Sequence, residues 1–441
     1  MNEFDSIRPY EPEEMKEAFE ALLADRHFNA VMKGFAPWLP KGVRNGLLRL
    51  AFTGVKTPLD FQKRFMKPVV KHIIRKHTDG CTFDDKALTV NNEQLVADRD
   101  GRAGGNHNYS LFTINYKLDQ RFTFLSNHRD IVLDSALLDV MLVEHGYPTT
   151  VEIGIGNNLL IYPWIERLVR MNKAFIVRRG LSLRETLVAS QLMSRYIHYA
   201  VTKKRENIWL AQREGRAKDS SDHTQDAVLK MLAMGGDLKE LNIVPLTISY
   251  EYDPCDYLKA QEMQLKRDNP SFKKSRQDDL DNMRTGIFGY KGRVHYQCGT
   301  PVNAWIDELT DLPKTEFYTA LAKRIDRELH RGYRLYPCNY IALDMLNGEE
   351  GGVVDGGGSK TGDSMVDGGG SKTGSDEPSG WHKACPYTGG PYTGEERQQF
   401  EAYLKEQIAK IQLPQKDEPF LRKCILTMYA NPVLNKVKSE E

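Results

Sequence analysis

The sequence predicts an α/β layer fold, preceded by a helical segment and followed by further helices. Three observations predict it. From about residue 120 onward, short β-rich runs alternate with longer stretches of helical period. Residues from about 10 to 80 carry helical period alone. The chain has 441 residues, 40% hydrophobic and 27% charged. That is ordinary globular composition, with room for two or three domains and for a large core without metal or disulfide staples.

The first helix is expected over Glu13–Ala24. From Arg26 to Thr78 there are twelve basic residues and one acid, Asp60. This local charge of +11 is hidden in a chain whose total is +1. In the same window Phe61, Phe65, Val69 and Ile73 recur every four residues beside Met66, Val70 and Ile74, a helix with an apolar stripe that should bend at Pro68. Two readings of the stripe stand side by side. A basic, amphipathic segment bearing Phe35 and Trp38 suits an anionic membrane surface. A stripe that packs on the rest of the protein, with its lysines solvated, is the other.

Strands are expected at Phe122–Leu125, Thr150–Ile155, Phe175–Arg178, Ile208–Ala211, Ile243–Tyr250 and Arg293–Cys298. Between them lie helices at Ile131–Glu144, Leu159–Met171, Leu183–Val201, Asp226–Met234 and Lys314–Leu329. Ser182 and Glu185 make a capping box for the third of these. Residues from about 347 to 394 differ: the nonapeptide VDGGGSKTG occurs at Val354–Gly362 and again at Val366–Gly374, and PYTG is doubled in Pro386–Gly394. Two repeats make no solenoid, and the Gly/Ser/Asp/Thr composition predicts a flexible loop. It is not a P-loop, because Ser359 separates Gly358 from Lys360. Phe400, Tyr403, Leu404, Ile408 and Ile411 then mark a helix ended by Pro414, with a shorter one over Pro419–Tyr429.

Several classes are excluded. Lys+Arg (61) balance Asp+Glu (60), which argues against a bulk nucleic-acid binder. The six cysteines form no C-x-x-C pair, against a zinc ribbon or a thioredoxin-type site, and fit a reducing compartment. There is no apolar run of 18 residues to span a bilayer, and the acidic opening MNEFDSIRPYEPEEM is no signal peptide.

The strongest chemical signal is SNHRDIVLD, Ser126–Asp134. It places His128 at a strand-to-helix turn with two acids nearby, Asp130 and Asp134. An imidazole held by a carboxylate is a general base, because the acid fixes the tautomer and stabilises the imidazolium. No G-x-S-x-G elbow is present, so the base is expected to act on a hydroxyl of the substrate.

Three more segments follow in order: a strand ending in Arg178-Arg179, a strand running to Glu214-Gly215-Arg216, and NIVPLTISYEYDP with its strand from Pro245. Together with the histidine turn, the chain over roughly Phe122–Tyr252 resembles the glycerolipid acyltransferases of glycerol-3-phosphate and lysophosphatidic acid. The blocks of that family are His-x4-Asp, F-I-x-R, E-G-x-R and V-P. Two departures stand out. Five residues, not four, separate His128 from Asp134, with Asp130 as the alternative acid, and the flanking helix aligns better with Asp134. Arg216 follows Glu-Gly directly, so Lys218 is a candidate to share its role.

The resemblance implies a mixed sheet flanked by helices and an O-acyl transfer. His128, held by Asp134, would deprotonate a hydroxyl of a glycerol-phosphate or lysophospholipid acceptor, and that oxygen would attack an acyl thioester, acyl-CoA or acyl-ACP. Arg178, Arg179, Glu214, Gly215, Arg216 and Lys218 would form the acceptor-phosphate site, with no metal and no cofactor beyond the thioester. An inactive lipid- or acyl-carrier-binding protein on the same fold is the alternative. The expected organisation is a basic helical subdomain at 1–80, the acyltransferase α/β domain at 81–345, a disordered repeat linker at 346–394 and C-terminal helices at 395–441. The expected location is cytoplasmic, peripheral on the inner face of the cytoplasmic membrane.

Overall fold

The structure is a computed structural model and describes residues 3–88, 120–350 and 391–441. The VDGGGSKTG repeat lies outside the described residues. Among the described residues seven strands form one sheet: β1 Cys81–Asp84, β2 Thr123–Ser126, β3 Val151–Gly156, β4 Ala174–Val177, β5 Asn207–Ala211, β6 Ile243–Tyr250 and β7 Val294–Cys298. Their order is β1-β7-β6-β2-β5-β3-β4. The run from β6 to β4 is parallel, β7 is antiparallel to β6, and β1 is parallel to β7. The sheet is therefore mixed, with its parallel strands buried beneath helices on both faces, as parallel pairing requires.

The strand period of two sorts the core. On β2, Leu125 faces one helical layer, while Phe124 beside it and Phe122 just before the strand face the other. On β5, Ile208 and Leu210 point with Leu125, and Trp209 points opposite. The first layer holds helices Leu183–Tyr199, Asp226–Leu232 and Lys314–Arg331; the second holds Leu133–Glu144 and Lys67–His77. The Ser182–Glu185 capping box forms, with Glu185 N–H donating to Ser182 Oγ at 3.4 Å and Ser182 N–H donating to Glu185 Oε2 at 3.0 Å.

The six expected strands are all present within a residue or two of their expected ends. Among the described residues, one strand and three α-helices were not expected. Strand β1 is only four residues long and carries one buried side chain, Phe83, so no alternating pattern announces it. Helices Asp256–Asp268, Arg276–Phe288 and Pro337–Glu350 are the others. The first buries Asp256, Lys259, Glu262 and Gln264, so its inward face reads as polar. The second buries only Asn282 and Gly286.

The last helix also differs from expectation. It runs Glu418–Glu440, through Pro432, instead of ending near Tyr429. Its far half is tied down from outside: Asn435 Nδ2 donates to Ser220 O at 3.3 Å, and Arg331 Nε donates to Ser439 O at 3.2 Å. These contacts offset the missing proline N–H.

The apolar stripe near the N-terminus packs on the protein. Phe61 and Val70 are buried, and Ile73 and Ile74 sit against the sheet-facing core. Pro68 is accommodated by a π-helical stretch, Phe61–Met66, in which Lys67 N–H reaches back five residues to Gln62 O. Lys71 pairs with Glu144 at 2.6 Å. Val69 of the stripe faces solvent, and a larger exposed apolar set lies earlier: Val31, Trp38, Val43, Leu47 and Leu50, with Trp38 at 76% and Leu50 at 70%. No helix among the described residues is long and apolar enough to cross a membrane.

Candidate active site

Parallel strands present their C-terminal ends at one edge of a sheet, where ligands of α/β proteins bind. Here three of those ends carry the sequence-predicted residues: His128 two residues past β2, Arg178 directly after β4, and Glu214 three residues past β5.

The histidine turn is organised by Asp134. His128 Nδ1 lies 2.8 Å from Asp134 Oδ2. The same oxygen accepts the backbone N–H of Arg129 (2.7 Å) and of Asp130 (3.1 Å), and Tyr250 Oη donates to Oδ1 at 3.2 Å. A carboxylate that accepts this many donors is fixed as an acceptor. Nδ1 therefore carries the imidazole proton, and Nε2 is left with its lone pair. The His128 side chain is 15% exposed while that of Asp134 is 1% exposed. The base thus meets solvent and its orienting acid does not. Trp209 sets its ring edge-on to the imidazole at 5.6 Å and anchors its own Nε1 on Ser126 Oγ at 3.0 Å.

Asp130 has a different place. Its Oδ1 accepts the N–H groups of Val132 (2.8 Å) and Leu133 (2.7 Å) at the start of helix Leu133–Glu144. It is buried, and burial followed by the charge of Asp134 raises its carboxyl pKa. Of the two acids near His128, Asp134 is the one bonded to the ring, and Asp130 caps the helix.

The basic residues divide into two groups. Arg178 is exposed at the end of β4. Beside it, Arg179 N–H donates to Asn157 Oδ1 at 2.9 Å, and Arg179 Nε lies 3.6 Å from Glu214 Oε1. Gly215 then takes φ +73°, a left-handed backbone that glycine adopts without a Cβ penalty, and the chain dives inward. Arg216 beyond it is 8% exposed, with Nη2 donating to Asn282 Oδ1 at 3.0 Å. Lys218 pairs with Glu262 at 2.7 Å. Burial, and then Arg216, push the Lys218 ammonium down to about 7. The structure therefore brings His128 to Asp134 and Arg179 to Glu214, while Arg216 and Lys218 lie under the helices between β6 and β7.

Several supporting residues escaped the sequence reading. Asn127 bridges to β6 in both directions, donating from Nδ2 to Ile248 O at 3.0 Å and accepting from Ile248 N–H at 2.7 Å. Arg129 is buried and donates to Ser220 Oγ (2.6 Å), Asp222 Oδ2 (2.7 Å) and Tyr333 Oη (3.1 Å). It staples the histidine turn to the loop after β5. Both flank His128 in sequence, but their partners lie about ninety or more residues away, and local pattern does not carry such pairings. Among the described residues no group of three or more His, Cys, Asp or Glu is placed to hold a metal ion.

No family model matches the chain, and no curated protein matches it. Among solved structures, it aligns with the crystal structure of the 1-acyl-sn-glycerophosphate (LPA) acyltransferase PlsC from Thermotoga maritima. That alignment has a TM-score of 0.36 and 11% identity, and covers 71% of this chain and 96% of that one.

Proposed function

We propose that this protein is an O-acyltransferase that moves a fatty acyl group from a thioester to a hydroxyl of a glycerol-phosphate or lysophospholipid acceptor. The observation that carries the reading is the His128–Asp134 pair, 2.8 Å apart, at the C-terminal edge of the parallel strands, with the histidine partly exposed and its acid buried. In this reading His128 Nε2 takes the acceptor's hydroxyl proton while Nδ1–H stays on Asp134. The oxygen attacks the thioester carbonyl and forms a C–O bond. The tetrahedral intermediate then expels the thiolate, which receives the proton from the imidazolium. The site is left as it began, and neither metal nor redox cofactor enters the balance. The basic residues along the same edge suit a phosphorylated acceptor, since guanidinium forks match phosphate oxygens.

A lipid acceptor also gives the exposed patch of Val31, Trp38, Val43, Leu47 and Leu50, flanked by Lys33 and Lys41, a use on an anionic membrane surface. The deciding experiment incubates the full chain with acyl-CoA or acyl-ACP and a panel of glycerol-phosphate and lysophospholipid acceptors. It follows free thiol and identifies the product by mass. Product formation that is lost in His128→Ala supports the reading. Binding of lipid or carrier without thiol release would make the protein an inactive relative on the same fold.

A further inference from the structure

Two tyrosines reach Asp134, one from each strand of the antiparallel pair β6 and β7. Tyr250 Oη donates to the carboxylate Oδ1 at 3.2 Å, and Tyr296 Oη donates to the main-chain oxygen at 2.8 Å. We infer that Tyr250 is a positioning residue for His128, acting through Asp134 by fixing the plane of its carboxylate. The inference rests on the acyltransferase reading for its effect on rate, and not for its effect on the imidazole.

Strand register brings the two rings together. Tyr296 pairs with Ile248 and Tyr250 with Val294, so both rings lie on the face of the sheet that packs against helix Leu133–Glu144. Asp134 sits in the first turn of that helix, and all three residues are buried. Tyr250 is not among the residues that the family resemblance assigns to the site, and β7 lies beyond the stretch that carries it.

The torsion that turns a carboxylate about its Cβ–Cγ bond is broad, so the plane is set by the donors around it. Oδ2 of Asp134 takes His128 Nδ1 and the N–H groups of Arg129 and Asp130. Oδ1 takes Tyr250 alone among the described residues. The charged side chains nearby are engaged elsewhere: Arg129 with Asp222, and Asp130 with the N–H groups of Val132 and Leu133. Burial, and then Tyr296 and Asp134, raise the Tyr250 pKa, so its hydroxyl stays protonated and remains a donor. Without that hydroxyl, Oδ1 is a buried acceptor with no donor, which is costly. The carboxylate then turns, and Oδ2 leaves the line of Nδ1. Tyr296 bonds the peptide oxygen and so fixes the start of the helix, although its hydroxyl also acts on Tyr250.

The test uses the full chain and the variants Tyr250→Phe and Tyr296→Phe, with thermal melts to confirm folding. Tyr250→Met, which also lacks the hydroxyl, takes its place if Tyr250→Phe does not fold. Heteronuclear NMR of the imidazole nitrogens, assigned by the signals lost in His128→Ala, reads the tautomer of the neutral ring without substrate. The parent should hold the Nδ1–H form. Tyr250→Phe should show a mixture in which the Nε2–H form appears, while Tyr296→Phe should keep the parent's form and lose stability. In turnover, Tyr250→Phe should lower kcat by about tenfold at unchanged KM, the weight of one hydrogen bond to a carboxylate. In an Asp134→Asn background the same substitution should change kcat by less than about twofold, because the two residues act as one unit. A parent without acyl transfer whose tautomer still depends on Tyr250 would keep the inference and overturn the acyltransferase reading instead. An unchanged tautomer in Tyr250→Phe, or a loss of kcat as large in the Asp134→Asn background as in the parent, overturns the inference.

Discussion

The Asp130 carboxylate occupies the space where a side chain at Gly286 would begin: a Cβ there would stand 1.9 Å from Asp130 Oδ2. Helix Arg276–Phe288 can approach the histidine turn because position 286 has no side chain. Asp130 in turn caps the helix that carries Asp134 in its first turn. Contact at 286 is thereby linked to the geometry of His128.

This contact makes Gly286→Ala a test. The added methyl must displace Asp130 or the helix, at a cost of about 1–3 kcal/mol for overpacking. The expected outcome is a lower melting temperature together with a lower kcat, since a shifted Asp130 moves the start of helix Leu133–Glu144. Gly46→Ala is the control. Gly46 lies within helix Lys41–Phe52 with nothing within 4 Å of the added Cβ. It should be neutral or stabilising by about 0.5–1 kcal/mol. Equal melting temperatures for the two variants would mean that the Asp130–Gly286 contact does not constrain the site.

The two acids near His128 should separate cleanly on substitution. His128→Ala removes the base and should lower kcat by about 10²–10⁴, with a thermal melt to check that the fold is kept, since only 15% of the side chain is exposed. Asp134→Asn should cost a comparable rate, since a neutral amide does not stabilise the imidazolium that forms when His128 takes the proton. Asp130→Asn keeps an oxygen for Val132 and Leu133 and should change kcat by less than about tenfold. The opposite ranking of the two Asn variants in steady-state kinetics would assign the role to Asp130.

Much of this architecture was legible in the sequence, and the exceptions share a physical cause. Strands such as Ile243–Tyr250, buried along their whole length, read as continuous β-rich runs, and the amphipathic helices facing them keep their period. The histidine turn was legible because His128 and its acids lie within seven residues of one another. Helices Asp256–Asp268 and Arg276–Phe288 were not, because most of the positions they bury are polar or glycine: Asp256, Lys259, Glu262 and Gln264 beside Ala260 in the first, Asn282 and Gly286 in the second. Lys259 pairs with Asp253, and Glu262 with three lysines. Such helices carry no hydrophobic period to detect. The division of the basic residues into two groups was invisible for a related reason: one left-handed glycine redirects the chain between Glu214 and Arg216.

Buried carboxyl groups set a pH signature. Asp256 is fully buried and accepts from Tyr403 Oη (2.7 Å) and Tyr429 Oη (2.9 Å), which tie the C-terminal helices to the turn after β6. Burial, reinforced by the charge of Asp253, pushes its pKa up to about 7. The folded state then binds more protons than the unfolded state between the ordinary carboxylate value and about 7, so stability falls as pH rises through that window and levels off above it. Asp256→Asn keeps an acceptor for the tyrosines and removes the titration. Its melting temperature should fall less than the parent's between pH 5 and about pH 8. An unchanged pH profile in differential scanning calorimetry would show that Asp256 does not titrate in this range. Asp139, buried and also raised to about 7, supplies a parallel contribution that remains in the variant.

Membrane attachment should depend on the exposed patch and not on the apolar stripe that follows it. Most of the stripe from Phe61 to Ile74 is taken up by packing, with Val69 alone of its named residues exposed, and Lys71 is paired with Glu144. Trp38, Leu47 and Leu50 face solvent from the connected helices Arg26–Phe35 and Lys41–Phe52 and the turn between them, where Lys33 and Lys41 are exposed as well. Each Lys or Arg near an anionic surface contributes about 1 kcal/mol, so reversing Lys33 and Lys41 should weaken binding to anionic vesicles by at least about thirtyfold. Replacing Trp38, Leu47 and Leu50 with serine should remove the component that survives high salt, because apolar insertion is not screened while the electrostatic part fades within a Debye length. Reversing Lys67 and Lys71 should instead lower stability, since it places like charges against Glu144, which both lysines now approach. The measurement is sedimentation with neutral and anionic vesicles at low and high salt, alongside thermal melts of each variant. If the Trp38/Leu47/Leu50 variant binds as the parent does while the Lys67/Lys71 variant is released without loss of stability, the membrane-facing surface is the second helix and not the first patch.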